Sequence, residues 1–183
     1  MSMLPAVVID LETTGLDPST DEVLEVAVVD INGEEYMNTL VRPVNRSEWP
    51  EAQRIHGIAP EDVENAPTLR SLAEEIKESV RDRVVVIYNA EFDAEFLKDL
   101  LKGARAVICA MEAFAAEYQA REGGEGRWQK LVHAAHYVDH DWGQDAAHRA
   151  IHNAHATVSV YRWLARVAPE QNPLESKARG TAA

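Results

Sequence analysis

The sequence predicts an α/β domain with a central, mixed five-stranded sheet that is flanked by helices. Three observations lead to this prediction. The first quarter of the chain contains strand patterns joined by a strong hairpin signal, which predicts an antiparallel meander. A later run, residues 83–88, is apolar almost throughout, as expected for a strand that helices cover on both faces. Other segments repeat apolar residues every three and four positions, which is typical of helices that pack one face against a sheet.

The antiparallel strands come first. They are predicted at 6–12, 23–29 and 36–41. A turn cluster at 17–21 separates the first two, and Asn32-Gly33 separates the second from the third. The first three strands of the sheet are therefore predicted to be antiparallel neighbours.

The rest of the chain alternates between helices and strands. Residues 51–67 predict a short helix, a loop and the capped start of another helix. The remaining predicted elements are a helix at 68–80, strands at 83–88 and 106–110, and helices that follow Asn89 or span 112–121, 128–136 and 147–167. The two later strands complete the five-stranded sheet.

The length of 183 residues suits one domain, predicted at 1–168, followed by a mobile polar tail at 169–183 that lacks periodicity. The N-terminus has neither the basic patch nor the apolar stretch of a signal peptide, and no run of eighteen apolar residues occurs. Cys109, the single cysteine, lies in an apolar run and is predicted to be a small core residue in a reducing compartment. These features predict a soluble cytoplasmic protein without a membrane partner.

The chain is strongly acidic. It has 31 acidic and 18 basic residues, for a formal net charge of −13. This charge argues against a protein that holds nucleic acid through a broad basic face. It leaves open an enzyme that grips one strand end through metal ions and a few local contacts.

Two carboxylates stand near the end of the first strand. Side chains alternate along a strand, so Asp10 and Glu12 project on the same side. Carboxylate oxygens are the preferred ligands of hard cations such as Mg²⁺ or Mn²⁺. The alternative is two exposed acids that lead into a turn, which Gly15 closes with a positive φ.

A second candidate position follows the apolar strand at 83–88. Asn89 is a good N-cap and would place Asp93 in the first turn of the next helix, near the mouth of the sheet where ligands gather. Asp93 could equally be a first-turn acid that interacts with the helix dipole. His56, beside Gly57, could line a site or have a structural role in a turn.

Three segments together resemble the DEDDh (DnaQ-like) family of 3′→5′ exonucleases, which have a ribonuclease H-like fold. The family includes proofreading subunits of bacterial replicative polymerases, ribonuclease T and oligoribonuclease. The resemblance covers about residues 5–167. The matching segments are Asp10-Leu11-Glu12-Thr13-Thr14-Gly15-Leu16, Asn89-Ala90-Glu91-Phe92-Asp93, His148-Arg149-Ala150-Ile151-His152-Asn153-Ala154 and, as a fourth, Ile55-His56-Gly57-Ile58.

The resemblance implies a two-metal-ion hydrolase, with Mg²⁺ or Mn²⁺ ions about 4 Å apart on the scissile phosphate. Asp10 would bridge both ions, Glu12 would complete the nucleophile-side site, and Asp93 would act through a water ligand. His148 would be the general base, because histidine titrates near neutrality. The resemblance implies that the substrate is the 3′ end of single-stranded or frayed DNA or RNA, with nucleoside 5′-monophosphates as products. The residues that would bind or shape the substrate site are Thr13, Thr14, Gly15, Leu16, Asn89, Phe92 and His56.

The chain departs from the family pattern at one metal ligand. The third motif ends in aspartate in the family, and Asn153 stands there in this chain. An amide oxygen can bind a hard cation, but it supplies no negative charge, so the nucleophile-side ion should bind more weakly. Three explanations remain open: an engineered change, a natural enzyme of reduced activity that favours Mn²⁺, or a protein that binds nucleic-acid 3′ ends without hydrolysis. A structural, polymerase-associated subunit is a further alternative, and a polymerase or another protein could be the partner.

Histidines and tryptophans suggest two other kinds of site. Two histidine trios have helical spacing that transition-metal ligands often share, namely His133, His136 and His140, and His148, His152 and His155. Neither trio has a cysteine or a recognised zinc spacing. Trp49, Trp128 and Trp142 lie in or near predicted loops, where they could stack on bases or anchor the loops.

Overall fold

The computed structural model describes residues 5–123, 127–143 and 148–168. Within these residues, five strands form one sheet: β1 Ala6–Thr13, β2 Val23–Asp30, β3 Glu35–Leu40, β4 Val84–Ile87 and β5 Ala106–Cys109. The helices are α1 Pro50–His56, α2 Pro60–Val63, α3 Leu69–Val80, α4 Ala90–Leu97, α5 Ala110–Glu122, α6 Leu131–Tyr137 and α7 Ala150–Val167, with a 3₁₀ turn at Lys98–Leu101. The predicted tail at 169–183 lies outside the described residues.

The sheet has the strand order β3-β2-β1-β4-β5. The pairs β1–β2 and β2–β3 are antiparallel, whereas β1–β4 and β4–β5 are parallel. The prediction of a mixed five-stranded sheet that begins with three antiparallel strands is therefore confirmed. The first strand occupies the centre, where both faces are covered.

Alternation along the strands divides the core between the two faces of the sheet. Val8, Val29 and Val86 point to one face and pack with α5, α6 and α7. Val7, Ile9, Val28, Val85 and Ile87 point to the other face and pack with α3, α4 and the 3₁₀ turn. A smaller cluster of Leu24, Trp49, Ile58 and Val63 anchors α1 and α2.

This alternation places Asp10 and Glu12 on the face that α7 covers. The parallel pairing of β1 with β4 ends at Val8–Val86, while the antiparallel pairing with β2 continues to Thr13. The part of β1 after Val8, residues 9–13, therefore has a free edge on the β4 side. The chain turns at that edge from β4 into α4.

Several local predictions are wrong in detail. The predicted helix at 128–136 begins only at Leu131 and extends to Tyr137. The last helix begins at Ala150, not near 147, because residues 148 and 149 are extended or have positive φ. Cys109, predicted to be a core residue, is only half-buried; its Sγ lies 3.4 Å from the carbonyl oxygen of Tyr88.

Of the two roles predicted for Trp49, the structure shows the anchoring one. Trp49 is buried, and its Nε1 donates to the carbonyl oxygen of Ile58 at 2.8 Å.

Candidate active site

Asp10 and Glu12 are withdrawn from solvent at the carboxyl end of β1. Asp10 is 8% exposed and Glu12 is half-buried. Among the described residues, Asp10 Oδ2 has no hydrogen-bond partner. A buried carboxylate oxygen without a partner is costly, and a cation is the ligand that would satisfy it. The alternative of two exposed acids before a turn is therefore wrong.

Asp93 reaches the same place from α4. It is buried, and its Oδ1 accepts a hydrogen bond from the backbone N–H of Leu11 at 3.1 Å. That N–H lies on the edge of β1 that β4 leaves free, so the first turn of α4 takes the place of a strand neighbour. Asn89 occupies the N-cap position as predicted, but its side chain makes no capping hydrogen bond.

Burial raises the pKa of all three carboxyl groups, and neighbouring charges add to the shift for two of them. Burial raises the pKa of Asp10 well above its usual value, and the charges of Asp93 and Glu12 add to this. The pKa of Glu12 is raised to about 8 by burial and then by the charges of Glu25 and Asp93, against the opposing effect of Arg149. Burial raises the pKa of Asp93 to about 7, although the Leu11 hydrogen bond opposes the shift. Carboxylates that resist ionisation in this way favour a divalent cation between them.

Asn153 joins this cluster from the end of the first turn of α7. Its Nδ2 donates to Glu12 Oε1 at 3.2 Å, and its Oδ1 lies 3.5 Å from the backbone N–H of His148. His148 precedes α7, is exposed, and has φ +82°, which is unusual for a residue with a side chain. The third motif is therefore beside the first, with its amide in contact with Glu12.

The residues after Glu12 form a tightly bonded loop. Thr13 Oγ1 donates to the Gly15 carbonyl oxygen at 2.6 Å. Thr14 Oγ1 donates to Asp21 Oδ1 at 3.1 Å and accepts from the backbone N–H of Glu22 at 2.9 Å. Gly15 does not have the positive φ expected from the turn; a Cβ there would lie 2.4 Å from Asp21 Oδ2. A side chain at position 15 would displace the Asp21 carboxylate, which Thr14 and Arg46 hold in place.

His56 supports this loop from α1. It is buried; its Nδ1 accepts from the backbone N–H of Ile58 at 3.0 Å, and its Nε2 lies 3.3 Å from the Thr13 carbonyl oxygen. Because Nδ1 acts as the acceptor, the proton belongs on Nε2, which then donates to Thr13. Burial lowers the pKa of His56, in keeping with this neutral form.

An open cavity of about 380 Å³ borders the loop. It lies between Leu16 and Phe92, with Pro18, Ala90, Glu91 and Glu95 completing its walls. Leu16 is 83% exposed, and the half-buried Phe92 packs edge to face on Phe96 at 5.2 Å. Two apolar side chains therefore flank this cavity, one of them next to Asp93 in the sequence.

The residues fit divalent cations only in part. In the described ranges, no three His, Cys, Asp or Glu side chains are arranged to hold a metal ion, and this applies to both histidine trios. His140 instead bonds Ser159 Oγ at 2.8 Å, and His155 lies 3.4 Å from Glu35. The fit rests on the partnerless Asp10 oxygen and on the neighbouring carboxylates, whereas Asn153 presents its Nδ2, not its oxygen, to Glu12.

The structure adds two residues that the sequence argument does not single out. Glu25 of β2 is paired across the strands with Glu12 and is 1% exposed. Arg149 forms two hydrogen bonds from Nε to the Glu25 carboxylate, at 3.0 and 3.1 Å, and a third from Nη2. The sequence signal for this pair is Glu25 itself, an acid among the apolar residues of the predicted strand 23–29, because a buried acid needs a partner.

Known proteins share this sequence pattern and this fold. A sequence profile of the RNase_T exonuclease family matches residues 7–161. The chain is 32% identical over 173 residues to the uncharacterized exonuclease CP81 of Escherichia phage 186. This match covers 86% of this chain and 87% of the phage protein. It is 38% identical over 100 residues, or 52% of its length, to the DNA polymerase III PolC-type of Thermotoga maritima, but spans only 7% of that protein.

A solved structure agrees with the fold. Exonuclease X in complex with 5′ overhanging duplex DNA has a TM-score of 0.68 at 24% identity, covering 90% of this chain and 93% of that one. The α/β architecture with a mixed sheet and the profile match over most of the domain lead to one assignment. The chain belongs to the RNase_T exonuclease family, whose domain is ribonuclease H-like.

Proposed function

We propose that this chain hydrolyses phosphodiester bonds at the 3′ end of single-stranded or frayed DNA or RNA and releases nucleoside 5′-monophosphates. The observation that carries the proposal is the convergence of Asp10, Glu12 and Asp93, from two separate elements, beside a helix that begins with the third motif. In the reaction, a water oxygen bonds to the terminal internucleotide phosphorus and the bond to the preceding 3′ oxygen breaks. The shortened strand keeps a 3′ hydroxyl, and the terminal nucleotide leaves with its 5′-phosphate.

Divalent cations complete the proposed site. Asp10, Glu12, Asp93 and Asn153 would hold two Mg²⁺ or Mn²⁺ ions, which when bound neutralise the phosphate and facilitate deprotonation of the attacking water. His148 is exposed just before α7, where its imidazole can take that proton as the general base. The raised pKa values of the carboxyl groups fall when a cation binds, so cation binding releases protons.

The loop after Glu12 is proposed to hold the terminal nucleotide. The threonine hydroxyls and Asp21 fix its backbone, and His56 supports it from below. Leu16 and Phe92 flank the cavity in which the base would lie. Because an acidic chain gains little from long phosphate backbones, short or presented 3′ ends suit it better than extended duplex.

Asn153 favours a second candidate function, the binding of 3′ ends without hydrolysis. The amide donates to Glu12, where an aspartate would add charge and a further acceptor. The cation on that side is then held more weakly, and the reaction slows or stops. The two candidates differ in one observable, the release of mononucleotide. A structural subunit without either activity would neither bind nor cleave.

The test is digestion of a 5′-labelled single strand, as DNA and as RNA, by the chain and by Asn153→Asp, in Mg²⁺ and then Mn²⁺. We expect stepwise shortening from the 3′ end that the substitution increases at least about tenfold, because a restored carboxylate strengthens the cation site. His152→Asp, which adds the same charge one residue away, is the matched control and should not increase the rate. Equal rates for the chain and Asn153→Asp would show that the amide is a competent ligand. No shortening by either protein, in either metal, would refute the exonuclease proposal.

Partner and location remain proposals of the same kind. The similarity to a PolC-type polymerase III supports a polymerase or another replication protein as the partner that delivers the 3′ end. No helix within the described segments is long and apolar enough to cross a membrane. We propose action in the cytoplasm, where such partners and their substrates occur.

A further inference from the structure

Glu25 lies in a position that is costly for an acid. It lies on β2, between β1 and β3, and is 1% exposed, and its carboxylate faces α7 from the same face as Asp10 and Glu12. A buried carboxylate is tolerated only when it is paired and fully hydrogen-bonded. Within the described residues, the carboxylate is hydrogen-bonded by Arg149 and Ala150, which lie 124 and 125 residues further along the chain.

The partners of Glu25 are the two residues at which α7 begins. The Arg149 guanidinium binds both carboxylate oxygens, and the backbone N–H of Ala150 donates to Oε2 at 2.9 Å. Arg149 is the N-cap residue of α7 and makes no side-chain capping bond. The Glu25 carboxylate thus serves as the anion at the N-terminus of this helix, although it belongs to another element.

This anchor lies within the third motif and fixes the backbone on either side of Arg149. His148 directly precedes Arg149 and holds φ +82°, a conformation that persists only where neighbours determine it. On the other side, the carbonyl oxygen of Arg149 accepts from the backbone N–H groups of His152 at 3.0 Å and Asn153 at 3.1 Å. The backbone conformation of His148 and the contact of Asn153 with Glu12 therefore depend on the hydrogen bonds between β2 and the start of α7.

We propose that the Glu25–Arg149 pair is a positioning device that sets the general base His148, and the adjacent ligand Asn153, against the carboxylates of β1. Neither member of the pair is proposed to touch the nucleotide, which the loop after Glu12 holds. The pair acts on the chemical step and leaves substrate binding unchanged. The inference rests on the proposed function, because it uses the assignment of His148 as the base.

The kinetic test is Glu25→Gln. This change keeps the shape and an acceptor for the Ala150 N–H, but it removes the negative charge and one of the two oxygens that bind the Arg149 guanidinium. A displacement of about 1 Å at a catalytic group costs about 100-fold in rate, so we expect kcat to fall about 10- to 100-fold with KM within about twofold. Arg149→Lys, which keeps the charge but not the bidentate geometry, should behave alike. Glu117→Gln is the matched control; it removes a helical ion pair with Arg121 on α5 and should leave kcat unchanged.

Two further readouts separate positioning from general stability and from the proposed function itself. In a His148→Ala background, Glu25→Gln should cause a smaller fractional loss of kcat, since only its effect on Asn153 remains, whereas a purely structural role would multiply the two losses. Without turnover, amide hydrogen exchange at His152 and Asn153 should become at least about tenfold faster in Glu25→Gln than in Glu117→Gln, with β1 amides unchanged. Unchanged exchange at these two amides would overturn the positioning role whether or not the chain cleaves. Absence of mononucleotide release from the unmodified chain would contradict the proposed function alone.

Discussion

The carboxylate cluster should make the metal-free protein lose stability as the pH rises. The folded chain keeps protons on Glu12 and Asp93, whose pKa values are about 8 and about 7, whereas in the unfolded chain these groups give them up near pH 4. The contribution is fully present below the unfolded pKa and is lost as pH rises through the folded values. Asp10, with its raised pKa, acts in the same direction.

This loss of stability is best measured between pH 6.5 and 8.5. Below pH 6.5, His56 and His140 oppose it: their pKa values are lowered in the folded chain, so their contribution to stability increases as the pH rises towards 6.5. A tenfold change in proton affinity is worth about 1.4 kcal/mol, so the loss across this pH range is about 2–3 kcal/mol. For a chain of this length that corresponds to about 5–10 °C in Tm.

Thermal unfolding in a chelating buffer measures this loss directly. Saturating Mn²⁺ should abolish the fall in Tm, because the cation replaces the protons. Asp10→Asn, which removes one buried charge with little change in shape, should raise the metal-free Tm at pH 8.5 and flatten the profile. Glu51→Gln, at an exposed position on α1, is the control and should not. A flat metal-free Tm from pH 6.5 to 8.5 in the unmodified chain would refute the electrostatic account of the site.

Three substitutions test the remaining contacts. Asn153→Asp should increase Mn²⁺ affinity by at least about tenfold in calorimetry, since it restores a charged ligand; equal affinities would count against Asn153 as a ligand. Gly15→Ala should displace the Asp21 carboxylate, at a cost of about 1–3 kcal/mol in urea unfolding, and raise KM; an unchanged KM would separate this loop from substrate binding. His56→Ala should cost about 1–3 kcal/mol, because the Thr13 carbonyl loses its buried donor, and unaltered stability would contradict that bond.

The sequence was sufficient for the sheet because its signals are local. The alternation in β1 and the Asn32-Gly33 turn decide which strands pair, and parity alone puts Asp10 and Glu12 on one face. The prediction of Asp93 near the mouth of the sheet also follows from chain order. Its bond to the Leu11 N–H could not be derived, because it depends on where the β1–β4 pairing stops.

Other features depend on distances that no spacing rule contains. The reason for Gly15 is the approach of Asp21, which comes from the far side of a turn. Glu25 is one acid within a strand, and its role depends on its contact with Arg149, which is 124 residues away in the sequence. The positive φ of His148 is likewise imposed from outside its own segment. Long-range contacts therefore decide the geometry of the candidate site, whereas residue type decides its chemistry.

The central claim is removal of single nucleotides from a 3′ end, and one digestion tests it most directly. A 5′-labelled single strand is incubated with the chain and Mn²⁺, with Asp10→Asn and a chelator as separate controls, and products are resolved by length. We predict a ladder that shortens one nucleotide at a time, releases nucleoside 5′-monophosphates, and disappears in both controls. Loss of the label as a first product, or an intact strand at all times, would contradict the account.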